Sequence, residues 1–202
     1  MAKAGQGGLE GITAALPRGS RGLPPVERWN PPFCGDIDMR IAADGTWFYQ
    51  KTPIGRPTLV KLFASILKRE GDKYFLVTPV EKVGIVVEDV PFLAVEMTVV
   101  EAEQDVLRQP LLSHILRFRT NVDDWVDAGP GHALRFETEA SGGLRPYLHV
   151  RRQLWAKVTR ALFYDLVALG EERVVDGKPM FGVVSGGEFF AMAEASAVRE
   201  FA

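Results

Sequence analysis

Three stretches of this chain alternate polar and apolar residues with a period of two: DIDMRI at 36–41, LAVEMTV at 93–99 and HILRFRT at 114–120. A strand with one buried face needs that period, whereas a helix would spread the same apolar residues around its whole surface. The chain is therefore constrained to sheets, and its helices have to pack against them.

The first alternating stretch is followed by AADG at 42–45, a tight-turn sequence in which Gly45 can take positive φ. Residues 46–51 are rich in aromatics and read as the partner strand of a hairpin. Pro57 then stands where the first turn of a helix tolerates it. Leu59, Leu62, Phe63, Ile66 and Leu67 form one apolar helical face, with Gly71 as a left-handed cap. YFLVTP, from Tyr74, and residues 83–87 read as strands. The order returns about 100 residues later. HALRFETEASGGLRPYLHVR gives two strands around a Gly-rich turn. Trp155, Val158, Leu162, Leu166 and Leu169 mark a helix face, Gly170 caps it, and DGKPMFGVV answers GDKYFLV.

The expected fold is α+β, with two lobes built from repeated ββαβ-like units and mostly antiparallel sheets, each packed by one main helix. Residues 1–33 read as a Gly/Pro-rich N-terminal tail, either solvated or laid on the body through Trp29 and Phe33. Residues 34–91 read as an N-terminal α+β domain and 92–202 as a C-terminal one, with the boundary at Pro91. A cleft between two lobes is where a small ligand tends to bind.

A net charge of −2 over 202 residues disfavours nucleic acid and membrane surfaces as partners. The single cysteine, Cys34, excludes an internal disulfide and fits a reducing compartment. The N-terminus lacks a signal-peptide core, and no uncharged apolar run approaches the roughly 20 residues of a membrane span. The expected location is cytoplasmic. Phosphate-binding GxxxxGK[ST], HExxH, CxxC and GxSxG are all absent. His114, His132 and His149 are too scattered to read as a metal set, and Cys34 reads as an inert small residue.

Asp36, Asp38 and Arg40 would share one strand face. Two carboxylates at that spacing can hold a hard cation or serve as an acid–base pair, but the Arg40 cation beside them works against both. The competing readings are a solvated strand face and a ligand contact. Arginines also accompany aromatics in both halves: Arg40, Trp47, Tyr49 and Arg56 in the first, Arg145, Tyr147 and Arg151 in the second. Arg117 and Arg119 flank Phe118 just before Asn121. A nucleotide needs a flat surface for its base and forked donors for its phosphates, and these residue types supply both. Aromatics filling a core under arginine stems would give the same pattern.

GDIDMRIAADGTWFYQ, LVKLFASIL, YFLVTPVEKV, VEDVPF, LRFRTNVDD, PYLHVR and FFAM, in that order, resemble the bacterial domain-of-unknown-function family 1285 over residues 35–192. The resemblance implies a two-domain α+β fold with repeated motifs, an inter-domain cleft suited to a nucleotide-like ligand, and a part in signal transduction. It carries no catalytic residues, and the Gly/Pro-rich start lies outside it.

The sequence thus points to a binding protein for a small anionic, nucleotide-like molecule, with no further cofactor and no catalytic or metal-ligating residue assigned. Trp47, Tyr49 or Tyr147 would stack the base, Arg40, Arg56 or Arg151 would hold phosphate, and Asp36 or Asp38 would accept from ribose or base. Arg119 and Asn121 complete the set. The alternatives are a protein-interaction module without a small ligand and, ranked last, a metal-dependent hydrolase using Asp36 and Asp38.

Overall fold

The computed structural model describes residues 22–101, 114–139 and 142–199. The chain divides into two compact units, with the division between Pro91 and Phe92. Residues 1–21 of the expected tail lie outside the described residues. A 3-10 turn at Val26–Arg28 precedes the first sheet, with Val26 fully buried and Glu27 facing Lys68 at 3.9 Å.

The first unit is one six-stranded sheet and a helix. β1 (Phe33–Ile41), β2 (Trp47–Tyr49) and β3 (Thr52–Pro53) form a meander. The helix α1 (Pro57–Ser65) follows, then a second meander of β4 (Leu67–Glu70), β5 (Lys73–Val77) and β6 (Lys82–Val87). The spatial order is β3-β2-β1-β6-β5-β4, antiparallel throughout except where β1 lies parallel to β6. Met39, Ile41 and Trp47 are buried, and the Phe63 ring of α1 stacks on Trp47 with centroids 6.3 Å apart.

The second unit repeats this order. β7 (Phe92–Val100), β8 (Ile115–Thr120) and β9 (Trp125–Asp127) form one meander; β10 (Leu134–Thr138), β11 (Leu144–Arg151) and β12 (Leu154–Val158) form the next. The sheet runs β10-β11-β12-β7-β8-β9, and its first strand is again parallel to its last. Then come α2 (Arg160–Ala168), a three-stranded sheet of β13 (Glu171–Val175), β14 (Lys178–Ser185) and β15 (Glu188–Glu194), and α3 (Ala195–Arg199).

What recurs is therefore a six-strand order rather than the strand–strand–helix–strand unit expected from the sequence. The helix lies between the meanders in the first unit and after both in the second. Both helices are also shorter than their apolar spacing suggests. Ser65 ends α1, its hydroxyl donating to the Leu62 carbonyl at 2.7 Å. Leu67 is thereby a strand residue, and Gly71, at φ +61°, turns β4 into β5 instead of capping a helix. Trp155 and Val158 belong to β12, because Lys157 and Arg160 between the apolar positions suit a strand and then a helix start equally well. Only Leu162 and Leu166 of the expected second face are buried by α2.

One buried hydroxyl ties the small sheet to the large one. Ser185 has no exposure; its Oγ accepts the Leu116 N–H at 2.8 Å and donates to the Ala128 carbonyl at 2.7 Å. Alongside it the Gly186 N–H donates to the His114 carbonyl at 3.1 Å. Ser185→Ala leaves a buried donor and acceptor without that partner and is expected to reduce stability by about 1–3 kcal/mol in urea unfolding. A loss below about 0.5 kcal/mol would show that the bridge is not what joins the sheets.

Candidate functional site

The β8–β9 turn is held by its own polar residues. Thr120, fully buried, accepts the Asp124 N–H on its hydroxyl at 3.0 Å, while its backbone N–H donates to the Asp124 carbonyl at 2.9 Å. Asp123 takes φ +63°, a left-handed conformation that Asp tolerates better than most residues. Asn121 clamps the turn to β7: its Oδ1 accepts the Leu93 N–H at 3.0 Å and its own N–H donates to the Leu93 carbonyl at 2.8 Å. Asn121, expected to contact a ligand, thus spends its side-chain oxygen on the backbone.

This turn delivers Trp125 to the start of β9. Cross-strand neighbours share a face, so the register builds two rows across β7, β8 and β9: Glu96–Arg119–Trp125 and Thr98–Arg117–Asp127. Leu116, Phe118 and Thr120, at the alternate positions of β8, have no exposure, which places both rows on the face opposite the core. Trp125 is 52% exposed there. Thr98, Val100, Arg117 and Trp125 line a shallow groove of about 370 Å³. Arg117 is fixed by a bidentate pair with Asp127, at 2.6 and 2.8 Å. Arg119 bridges Glu96 at 2.7 Å and Asp123 at 2.8 Å. Trp125 carries no signal in the sequence, because its strand is three residues long, too short for alternation to show, and follows the β8–β9 turn.

Arg40, Arg145 and Arg151 are occupied in the same way. Arg40 pairs with Glu88 and lies 4.3 Å over the Phe48 ring. Arg151 pairs with Asp124 and lies 4.8 Å over Phe92. Arg145 pairs with Glu139. Arg56 is exposed at the extended residue before α1 and makes no ion pair among the described residues. Two of the three expected stacking rings are corrected by burial: Trp47 and Tyr147 are each 2% exposed, Trp47 against Phe63 and Tyr147 beneath Arg135. Tyr49 is half-buried on β2. Asp36 and Asp38 are exposed on β1 while Met39 and Ile41 are buried.

The structure gathers Arg119, Asn121 and Arg151 around the β8–β9 turn, and Arg40, Tyr49 and Asp38 around the β1–β2 hairpin, where the Gln50 N–H donates to the Asp38 carbonyl at 2.8 Å. Among the described residues no three His, Cys, Asp or Glu side chains gather into a metal-binding group, and no helix is long and apolar enough to cross a membrane.

Several carboxylates are held below their ordinary range. The Arg117 guanidinium does this to Asp127; the Ala43 N–H and then Arg40 do it to Glu88. Lys82, 2.9 Å away, does it to Glu70; burial opposes the effect and Lys68 adds to it. A depressed folded value means that the unfolded chain takes up its proton first as pH falls. The stabilisation is therefore complete above the ordinary glutamate value and is lost as pH drops through the lowered one. Glu70→Gln is expected to reduce stability at pH 7 by less than about 1 kcal/mol, since the pair is partly exposed. The gap between variant and parent should close towards pH 3, as read by urea midpoints; a gap unchanged with pH would rule out the ionic origin.

No curated protein matches the chain. The family model described as "Domain of unknown function (DUF1285), N-terminal domain" matches residues 24–90, and that described as "Protein of unknown function (DUF1285), C-terminal domain" matches residues 91–192. A crystal structure of a DUF1285 family protein from Silicibacter pomeroyi DSS-3 is 48% identical, with TM-score 0.80 over 95% of this chain and 98% of that one. Another, from Shewanella baltica OS155, is 33% identical, with TM-score 0.49 over 65% of this chain and 91% of that one. With both halves matched and near-complete overlap with a relative, this chain belongs to the DUF1285 family.

Proposed function

We propose that this protein is a non-catalytic binding protein for a small, nucleotide-like molecule, and that the planar ring of the ligand is received by Trp125 in the groove of the second unit. The observation that supports this most is the contrast among the aromatics. Trp47 and Tyr147 are buried, whereas Trp125 is half exposed and stands beside two arginines whose geometry is fixed by carboxylates. A base stacked on an indole gains about 1–3 kcal/mol, and Asp127 and Glu96 offer acceptors to its exocyclic amines. The phosphate contributes less, because each nearby guanidinium already holds a carboxylate that an anion would have to displace.

The expected behaviour follows from that balance. Adenosine and AMP should each quench tryptophan fluorescence saturably, with affinities within about tenfold of each other. Trp125→Ala, at an exposed position, should fold normally and lose at least about tenfold in affinity. No saturable change with either compound at millimolar concentration, or equal binding by the variant, would refute the ring site.

A protein-interaction reading is favoured by a different feature. Every residue from 171 to 179, the outer part of the β13–β14 hairpin, is exposed, and Val174 is 74% exposed. A two-stranded ribbon that buries so little is only marginally stable alone, and its apolar tip offers a partner something to cover. Val174→Asp would then leave thermal stability unchanged while abolishing a stoichiometric complex isolated with the parent chain. Retention of the complex would exclude the hairpin as the contact.

A further inference from the structure

Parallel neighbours keep register unless something displaces them, and in the second unit they keep it: Phe92, Leu93 and Ala94 pair in unbroken succession with Ala156, Lys157 and Val158. The equivalent seam of the first unit is broken twice. Phe33 pairs with Lys82, Asp36 with Gly84 and Arg40 with Val86, so β1 advances three and then four residues while β6 advances two each time. Bulges are rare in parallel pairs, and where they occur they re-aim a side chain or locally end the pairing.

The side chain concerned here is Asp36. Its carboxylate lies across β6 at Gly84, where an added Cβ would overlap a carboxylate oxygen. Gly84 is not at positive φ, so its backbone does not require glycine. Glycine there lets the Asp36 carboxylate lie against the strand, and a Cβ would make it turn aside. Beside the carboxylate is a groove of about 300 Å³ lined by Asp36, Ile37, Lys73, Phe75, Gly84 and Val86, among others. Glu70, Glu88, Asp124 and Asp127 each hold a cation, yet Asp36 makes no ion pair among the described residues.

We infer that this groove binds a small molecule carrying a protonated amine, with the ammonium on Asp36 and its aliphatic stem along Ile37, Phe75 and Val86. The lining sets Asp36 and Asp72 against Lys73, an excess of negative charge that disfavours an anion, so the groove takes a different class of ligand from the ring site on the second unit and does not depend on it. A hard metal ion needs six or more oxygens, and no such group of side chains gathers here. An ammonium needs only three acceptors, which one carboxylate and the backbone carbonyls of a bulged seam can supply.

Butylamine hydrochloride is the test probe, with butanol as its neutral isostere and sodium chloride as the ionic control, read from the backbone amide resonances of the full chain. The Asp36 and Gly84 amides should shift saturably with the amine and not with either control. Asp36→Asn should weaken binding by about tenfold or more, the ratio between a charge-assisted and a neutral hydrogen bond. Asp38→Asn, one exposed carboxylate along the same strand, should bind as the parent does. Equal shifts with butanol or salt, undiminished binding by Asp36→Asn, or no saturation in the millimolar range each overturn the inference. Gly84→Ala, if its spectrum shows a folded chain, should weaken binding as Asp36→Asn does; if it does not fold, the asparagine variant decides alone.

Discussion

Each unit closes its sheet by a parallel pairing between the strand that opens a set of six and the strand that ends it. Hairpins form from neighbouring residues, but a parallel pair needs a long connection between its strands. Here that connection is the other four strands, joined in the first unit by α1. Until both meanders exist, β1 has no β6 to join, and β7 has no β12. The first and last strands of each set consequently sit at the centre of its sheet, which explains why Met39, Ile41, Phe92 and Ala156 are among the most buried residues. A sheet whose central contacts are its most distant in sequence folds late and as a whole.

Charge is arranged differently from apolar area. Arg40, Arg117, Arg119, Arg145 and Arg151 each meet a carboxylate from the same unit. Exposed pairs of this kind add little stability, but they fix where a guanidinium points and lower its appetite for a further anion. Arginine beside an aromatic residue in sequence is thus compatible with two outcomes, a free phosphate clamp or a satisfied surface pair over a ring, and the outcome depends on a carboxylate 4 to 48 residues away. This is why the binding proposed for the second unit is assigned to the exposed indole more than to positive charge.

The strands with long alternation were legible in the sequence, β1, β7 and β8 above all, and so were the turn at Gly45 and Pro57 at a helix start. Short elements were not. β3, β4 and β9 have two to four residues, at most two periods of alternation. The helix ends were misread because i, i+4 spacing continued into strands through Leu67 and out of one through Trp155. Burial separated the aromatics in a way that identity does not encode: Trp47, paired with Ile41, stacks on Phe63 of α1, whereas Trp125, paired with Arg119, faces away from its core. Asp36 was noticed for its company with Asp38 and Arg40, whereas its structural partner is Gly84, on a strand 48 residues later.

The repeated strand order offers an internal control for telling architecture from specialisation. A feature present in both units is what the topology requires; a feature present in one is what that unit adds. The parallel seam is shared, and the second unit builds it from Phe92, Ala94, Ala156 and Val158 in plain register. The bulges, the carboxylate and Gly84 are therefore additions of the first unit. The third strand of each set is likewise shared, but in the first unit it is Thr52–Pro53, whose proline cannot donate to a ladder, and in the second it is Trp125–Asp127. The two units thus depart from their common plan at non-equivalent strands, a seam in one and an edge in the other. Divergence of that kind is expected if each sheet recognises something of its own chemistry.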